Sequence, residues 1–352
     1  MLQLASRAWF VRQVGRPGLL GRVEVRGVHM LAGGGGFWWA FGVGWGMGSL
    51  IFRKDVRREG VSDGELRAGR RRGELARVHR GVYVERAELE GLDVGARHVL
   101  AVRAAVSGLG GDVAVSHQSA AIVLGLPVWN MELGRVHVTA CQRGRARKAN
   151  HLHVHSSPFD ETELTIVDGM RVLSPARTVA DLARALPFEE AVVVGDAAMR
   201  DYRLTTEDLL TALDHWPRRP GAAKARRVIA FMDARSESSG ESRSRVRMHW
   251  AGLPKPELQH VVTDAATNFL ARVDFALPEL GIIGEFDGRA KYDRLLRPHT
   301  TPARAVYEEK LREDAIRAQN LQVLRWTWPD LDPFHPTATR WRHAINRAAH
   351  LT

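Results

Sequence analysis

The stretch RVDFALPELGIIGEFDGRAKY, residues 272–292, sets Asp274, Glu285 and Asp287 into two runs that otherwise have the composition of apolar strands. Val273, Phe275 and Leu277 alternate with Arg272, Asp274 and Ala276. Ile282 to Asp287 is a β-prone run closed by Gly288, so the spacing predicts a hairpin turning through Pro278-Glu279-Leu280-Gly281. With Glu279 and Leu280 in the turn, Asp274 falls opposite Glu285. Side chains on a strand repeat every two residues, which puts Glu285 and Asp287 on one face. Acids gathered in this way need solvent, a nearby Arg or Lys, or a cation. A hard ion such as Mg²⁺, held by one or two carboxylates together with substrate phosphates, suits this donor set. Lys291 would then contact a phosphate or polarise a water. The solvated outer face of a hairpin is the other reading, and spacing alone leaves both open.

Two further clusters carry side chains capable of chemistry. HLHVHSS places His151, His153 and His155 on one strand face, a spacing that suits zinc, although histidines without supporting carboxylates or cysteines are more often polar residues of an edge strand. The loop before it holds Arg143, Arg145, Arg147 and Lys148 without an acid and offers a phosphate contact or a solvated surface. Residues 53–86 carry eleven Lys or Arg against six Asp or Glu. Ser62 and Glu65 there make a capping box, which predicts a helix from Asp63 to about Arg72, ended by Gly73. Arg67, Arg70 and Arg71 lie on its exposed side. The β segment RVHRGVYV, with Arg77, Arg80 and Gly81, follows, and helix, turn, helix, strand is the order of a winged helix-turn-helix.

The elements that position these groups belong to a chain of 352 residues, enough for several domains, with 45% hydrophobic and 26% charged residues. A net charge of +11 favours a polyanionic partner such as DNA. Cys141 is the single cysteine, which excludes an intrachain disulfide and a cysteine-based zinc site and suits a reducing cytoplasm. Met30 to Phe52 is uncharged and long enough to span a bilayer, but its glycines disfavour a helix by about 1 kcal/mol each. Residues 1–52 therefore read as a glycine-rich, disordered extension without a membrane role, translated from a start upstream of Met47.

Further along, Ser116 is placed to cap the helix of SHQSAAIVLGL. Ser174-Pro175 opens a second helix in which Arg177 and Asp181 sit one turn apart. The stretch from about 214 to 240 reads as a helix within a linker. A helix from about Gly240 to Trp250, carrying Glu241, then precedes the hairpin. A charged helix in PARAVYEEKLREDAIRAQN, the strand QVLRWTW and a tail helix over 336–352 complete the chain. These elements predict a multi-domain α/β protein: a winged helix-turn-helix over 53–86, an α/β middle domain over 87–230 and a compact α/β unit over 231–335.

RRGELARVHRGVYV, SHQSAAIVLGLP, RVLSPARTVADLA and the run from RVDF through GEFDGRAKY to LQVLRWTW together resemble actinobacterial proteins related to the AbiEi antitoxins of type IV toxin–antitoxin systems. The C-terminal part is similar to the Vsr-like endonuclease fold of the PD-(D/E)XK nuclease superfamily. The resemblance implies a DNA-binding winged helix, an antitoxin-type middle domain and a restriction-endonuclease-like core, with DNA and a nucleotidyltransferase-type toxin as partners. It also implies that Asp274 and Glu285 match the two metal-binding acids and that Glu241 occupies the helix that contributes an outer acid. Asp287 stands where those nucleases have lysine, and Lys291 where Vsr-like domains often have histidine. Two functions follow as expectations. One is a DNA-binding regulator or antitoxin with a nuclease-like scaffold. The other is a Mg²⁺-dependent endonuclease.

Overall fold

The computed structural model describes residues 24–25, 28–33, 36–40, 50–110, 112–142, 146–149, 151–215, 219–264, 267–288 and 318–350. Arg143, Arg145, Lys291 and most of the charged segment 302–320 fall outside these residues. The chain is mixed α/β and divides into two compact units, one of residues 1–76 and 83–90, the other of 77–82 and 91–352.

In the first unit, the expected disordered extension falls largely outside the described residues. Within it, β1 (Glu24–Val25), β2 (Val28–Gly33) and β3 (Gly36–Ala40) pair antiparallel. After β4 (Ile51–Phe52) come α1 (Arg53–Arg58) and α2 (Asp63–Arg71), then β5 (Leu75–His79), β6 (Val82–Glu85) and α3 (Arg86–Glu90). β4, β6 and β5 form a sheet in that order. The capping box at the start of α2 is present, with Ser62 Oγ accepting from the Glu65 backbone and Glu65 from the Ser62 backbone. Gly73, at φ +79°, lets the chain leave the helix in a left-handed turn that a side chain would strain. Ile51, Val56 and Leu66 form the small core of this unit.

The second unit begins with α4 (Val94–Val106), β7 (Val113–Val115), α5 (His117–Val123), β8 (Val136–Ala140), β9 (Arg147–Ala149), β10 (Leu152–Ser156), β11 (Leu164–Val167) and β12 (Met170–Leu173). The strands make one mixed sheet, ordered β11-β12-β7-β8-β10-β9, in which β12 pairs parallel with β7 and β8 parallel with β10. Helices α6 (Pro175–Ala185), α7 (Phe188–Asp201), α8 (Thr206–Asp214) and α9 (Ala222–Phe231) follow. Val115, Val138, Val154 and Val172 share a core with Leu182, Val192 and Ile229 from these helices. The stretch expected to be a linker does hold a helix, but Ala225, Val228 and Ile229 of α9 are completely buried. Its polar flanks conceal an apolar stripe at positions i, i+3 and i+4.

The last part consists of α10 (Ser239–Trp250), β13 (Glu257–Thr263), β14 (Phe269–Leu277), β15 (Ile282–Asp287), β16 (Gln322–Thr327) and α11 (His335–Ala349). The sheet runs β13-β14-β15-β16, with only the final pair parallel. The helix expected as a tail lays Ala338, Trp341 and Ala344 into the core beside Phe275, Phe286 and Trp326.

Two glycines permit that packing. A Cβ on Gly240 would lie 1.9 Å from the Phe286 ring, and one on Gly284 would lie 2.6 Å from Trp341. α10 also faces the helical layer before it. Arg245, almost wholly buried, donates to Asp196 at 2.7 Å, to the Phe231 carbonyl at 2.7 Å and to Ser236 at 3.2 Å. Burial pushes the Asp196 carboxyl up from its usual value, against the opposing pull of Arg245. Arg243 and Arg247 both reach Glu189 and Asp332.

Removing one member of a buried ion pair leaves the other charged and desolvated. Arg245→Ala is therefore expected to destabilise the second unit by ~3–5 kcal/mol in urea unfolding. The conservative Val246→Ile, an added methylene, should cost ~1–3 kcal/mol. Equal effects of the two substitutions would refute a special role for the ion pair.

Candidate functional site

The β14–β15 ladder pairs Phe275 with Gly284, Ala276 with Ile283 and Leu277 with Ile282. The same register carried one residue further sets Asp274 opposite Glu285, and a short 3-10 turn over Pro278–Leu280 closes the hairpin. Asp274 Oδ2 accepts the Phe286 backbone N–H at 2.8 Å. Glu285 Oε2 accepts from Arg325 Nε at 2.9 Å, and Arg325 is its register partner on β16. Asp287, half-buried, pairs in the ladder with Thr327.

Glu241 is buried at the start of α10, where it accepts from the Glu237 backbone, Ser238 Oγ and Gln259 Nε2 at 2.8–3.0 Å. These bonds clasp the helix start to β13. Among the described residues, Asp274, Glu285 and Glu241 do not bring three carboxylate oxygens within 4.8 Å of one another. A cation here would rest on two carboxylates, one of which already carries Arg325.

In the first unit, α2 buries Leu66 and Gly69 and leaves Arg67, Arg70 and Arg71 exposed on the opposite side. Arg67 Nε donates to the Asp63 carbonyl at 3.1 Å. The nearby acids are engaged elsewhere, Asp63 with Arg53 at 2.5 Å and Glu74 with Arg72 at 2.7 Å. The Arg53 guanidinium holds the Asp63 carboxyl below its usual value. Among the described residues, no carboxylate pairs with Arg70 or Arg71. The same is true of Arg77, exposed on β5, and of Arg80, exposed on the turn between β5 and β6, both in the segment 77–82 assigned to the second unit.

Of His151, His153 and His155, the structure brings the rings of His153 and His155 together on β10 and leaves His151 outside the strand. Parallel pairing of β8 with β10 sets His153 beside His137, and His155 beside Thr139. His117, at the first position of α5 with φ +51°, stacks on His155 with ring centroids 3.6 Å apart. His153 stacks on His155 at 3.9 Å, and His137 Nδ1 lies 3.0 Å from His155 Nε2. His151 is exposed and outside this stack.

Burial lowers His117 to about 4, against the pull of Asp181. Burial and the neighbouring imidazoles lower His137 to about 3 and His155 to about 2. All three rings are neutral at pH 7. His137 escaped the sequence reading because its approach depends on the parallel register of β8 with β10, and His117 because it enters from the start of α5. The one available signal was that VHVT, residues 136–139, repeats the alternation of HVHS, residues 153–156.

Beside the imidazoles, Arg177 is buried and donates to Asp181 at 2.8 Å, Glu163 at 2.5 Å and Ser157 at 2.8 Å. The expected pairing of Arg177 with Asp181 is present, as part of a larger buried network. Asp181 also accepts from Arg184 at 2.9 Å and Arg219 at 3.3 Å. A cavity of about 960 Å³ is lined by His117, His153, His155, Asp181, Arg184 and Arg219, among others.

Comparison with known proteins bears on the first unit most directly. Residues 48–86 match the family described as transcriptional regulator, AbiEi antitoxin. Two uncharacterized proteins from two strains of Mycobacterium tuberculosis, MT2308 and Rv2248, are each 34% identical over 161 residues, 46% of this chain and 54% of theirs. The chain thus spans about half the length of the curated relatives it matches. The crystal structure of RV2827C protein from Mycobacterium tuberculosis aligns with 61% of this chain and 83% of that chain, at a TM-score of 0.39 and 17% identity. Among the described residues no helix is long and apolar enough to cross a membrane.

The bond from Phe286 N–H to Asp274 makes a separable prediction about the acid pair. Asp274→Ala removes the acceptor from a partly buried backbone donor and is expected to cost ~1–3 kcal/mol. Asp274→Asn keeps an acceptor oxygen and should cost less. Urea midpoints of the two variants check this, and equal losses would show that the hydrogen bond is not what Asp274 supplies to the fold.

Proposed function

We propose that this chain is a DNA-binding transcriptional regulator of the AbiEi antitoxin type, with residues 53–86 acting as a winged helix-turn-helix. The observation that carries the reading is an arginine face on a well-capped helix, not neutralised by described carboxylates, inside the segment that matches the regulator family. Arg67, Arg70 and Arg71 contact DNA phosphates, and Arg77 and Arg80 add further contacts. The overall charge of +11 raises the local concentration of nucleic acid. Such a regulator acts in the cytoplasm, and its protein partner is a nucleotidyltransferase-type toxin.

Changing Arg67, Arg70 and Arg71 together to Ala should weaken duplex binding across all sequences. It should also lower the slope of log K against log salt by roughly 0.9 per lost contact. Fluorescence anisotropy over a salt series measures both. An unchanged slope would remove α2 from the interface.

A second reading draws on the opposition of Asp274 and Glu285. Here the last part is a Vsr-like PD-(D/E)XK endonuclease core, with Asp274 and Glu285 holding Mg²⁺ once Arg325 releases Glu285. Bound there, the ion would activate water and neutralise charge at the phosphate. Asp287 in the usual place of the lysine weighs against cleavage. In this reading Lys291 supports the phosphate and Glu241 supplies the outer acid.

Supercoiled-plasmid assays with Mg²⁺, Mn²⁺ or EDTA decide between the readings. Metal-dependent cutting that is lost in both Asp274→Asn and Glu285→Gln makes the chain an endonuclease. DNA binding without cutting in all three proteins leaves the regulator.

A further inference from the structure

We infer that His117, His137 and His155 form a binding site for a first-row divalent transition metal, with Zn²⁺ as the best-matched ion. The site is independent of the DNA-binding reading. Each residue offers one imidazole nitrogen, and these nitrogens lie within 4.8 Å of one another. Zinc bound at ~2.0–2.1 Å to each of three nitrogens in a tetrahedral arrangement needs them roughly 3.3 Å apart. The His137–His155 pair is already at 3.0 Å.

Three features set this cluster apart from ordinary strand histidines. First, like groups have been concentrated where a structural role would gain little. The His117 ring stacks on that of His155 with centroids 3.6 Å apart, and His137 Nδ1 lies 3.0 Å from His155 Nε2, so the three rings meet at one place. Imidazole in its neutral form is the form that binds metal.

Second, the surrounding hydrogen bonds orient the ligands. His117 Nδ1 lies 3.0 Å from Ser116 Oγ, which leaves Nε2 as its metal-binding atom. His117 itself is held at φ +51°, a left-handed conformation uncommon for a residue with a side chain. On α5, two residues after His117, Ser119 Oγ accepts the His137 backbone N–H at 2.8 Å and ties β8 to the helix at that point.

Third, Thr139 Oγ1 is fully buried and has no hydrogen-bond partner. Thr139 shares a strand face with His137 and is the register partner of His155. An orphaned hydroxyl at this place calls for a polar group that the protein does not itself supply. A water or anion on the open coordination position of a three-histidine metal is such a group. Three protein ligands with a fourth position open is the arrangement of reactive rather than purely structural zinc. The cavity of about 960 Å³ reaches His117 and His155, and its walls carry Arg184 and Arg219, which suit an anionic ligand.

The experiment uses the full chain, stripped of metal with chelator and titrated with Zn²⁺ by calorimetry, beside His137→Gln, His155→Gln and His151→Gln. His151, exposed outside the stack, is the internal control. The expected result is one equivalent of Zn²⁺ bound by the wild type and by His151→Gln, with affinity lower by roughly 100-fold or more in the other two. Absence of stoichiometric binding to the wild type overturns the site, as does binding that neither His137→Gln nor His155→Gln weakens.

Co²⁺ substitution of the wild-type chain gives a measurement that does not depend on the variants folding. Intense visible bands of a four-coordinate nitrogen site support the assignment. The weak spectrum of hydrated or six-coordinate Co²⁺ overturns it.

Discussion

The second unit depends on the packing of α10, which touches two layers with different chemistry. Toward the last sheet, Gly240 lies flat against Phe286, and Ser244 Oγ accepts the Trp326 indole N–H at 2.8 Å. Toward the preceding helices, Arg243, Arg245 and Arg247 reach Glu189 and Asp196 on α7. Charges so deeply buried contribute little net stability against hydrophobic replacements of the same shape, but they tolerate few alternative arrangements. Their effect is to fix one docking geometry between the helical layer and the β13–β16 sheet. The planar guanidinium of Arg243 also stacks over Trp129 at 4.0 Å, a contact that lysine would not reproduce.

That constraint sets the chemistry of the Asp274–Glu285 hairpin. Ile282 and Phe286 fill the core face of β15, with Phe286 against Gly240, and the approach of Trp326 and Trp341 leaves no room for a side chain at Gly284 between them. The acids must occupy the other face, where one bonds to backbone and the other to Arg325. A sheet built in this way can carry two acids side by side without a cation, because each has a partner of its own. The carboxylates are therefore explained by the fold as well as by metal chemistry, and their presence alone does not distinguish a working nuclease from an inherited scaffold.

Local features of the structure were legible in the sequence because they are governed by neighbouring residues. The Ser62–Glu65 capping box, the Ser174-Pro175 helix start and the hairpin register each follow from contacts spanning a few positions. Counting from the turn was enough to oppose Asp274 to Glu285. The pairing of Arg245 with Asp196 was not legible, since the two residues lie 49 apart in sequence on different helices. Nor could composition identify α9 as core. Its charged residues occupy the exposed turns and mask the three apolar positions that pack.

The imidazole cluster shows the same limit in functional terms. Alternation on β10 marks His153 and His155 as sharing a face, whatever lies next to them. Which residues complete the group is decided by a parallel pairing, and a parallel pair cannot be closed by a tight turn whose length reveals its register. His137 enters through that pairing, and His117 through the left-handed residue that links β7 to α5. Each strand contributes an ordinary pattern, and their juxtaposition brings the imidazoles together on the strand face that also carries the buried, unpaired Thr139 hydroxyl. Chemistry of this kind is a property of sheet order rather than of any contiguous motif. It explains why the region between the arginine-rich helix and the acidic hairpin can look inert in sequence and still bring three imidazole nitrogens within 4.8 Å of one another.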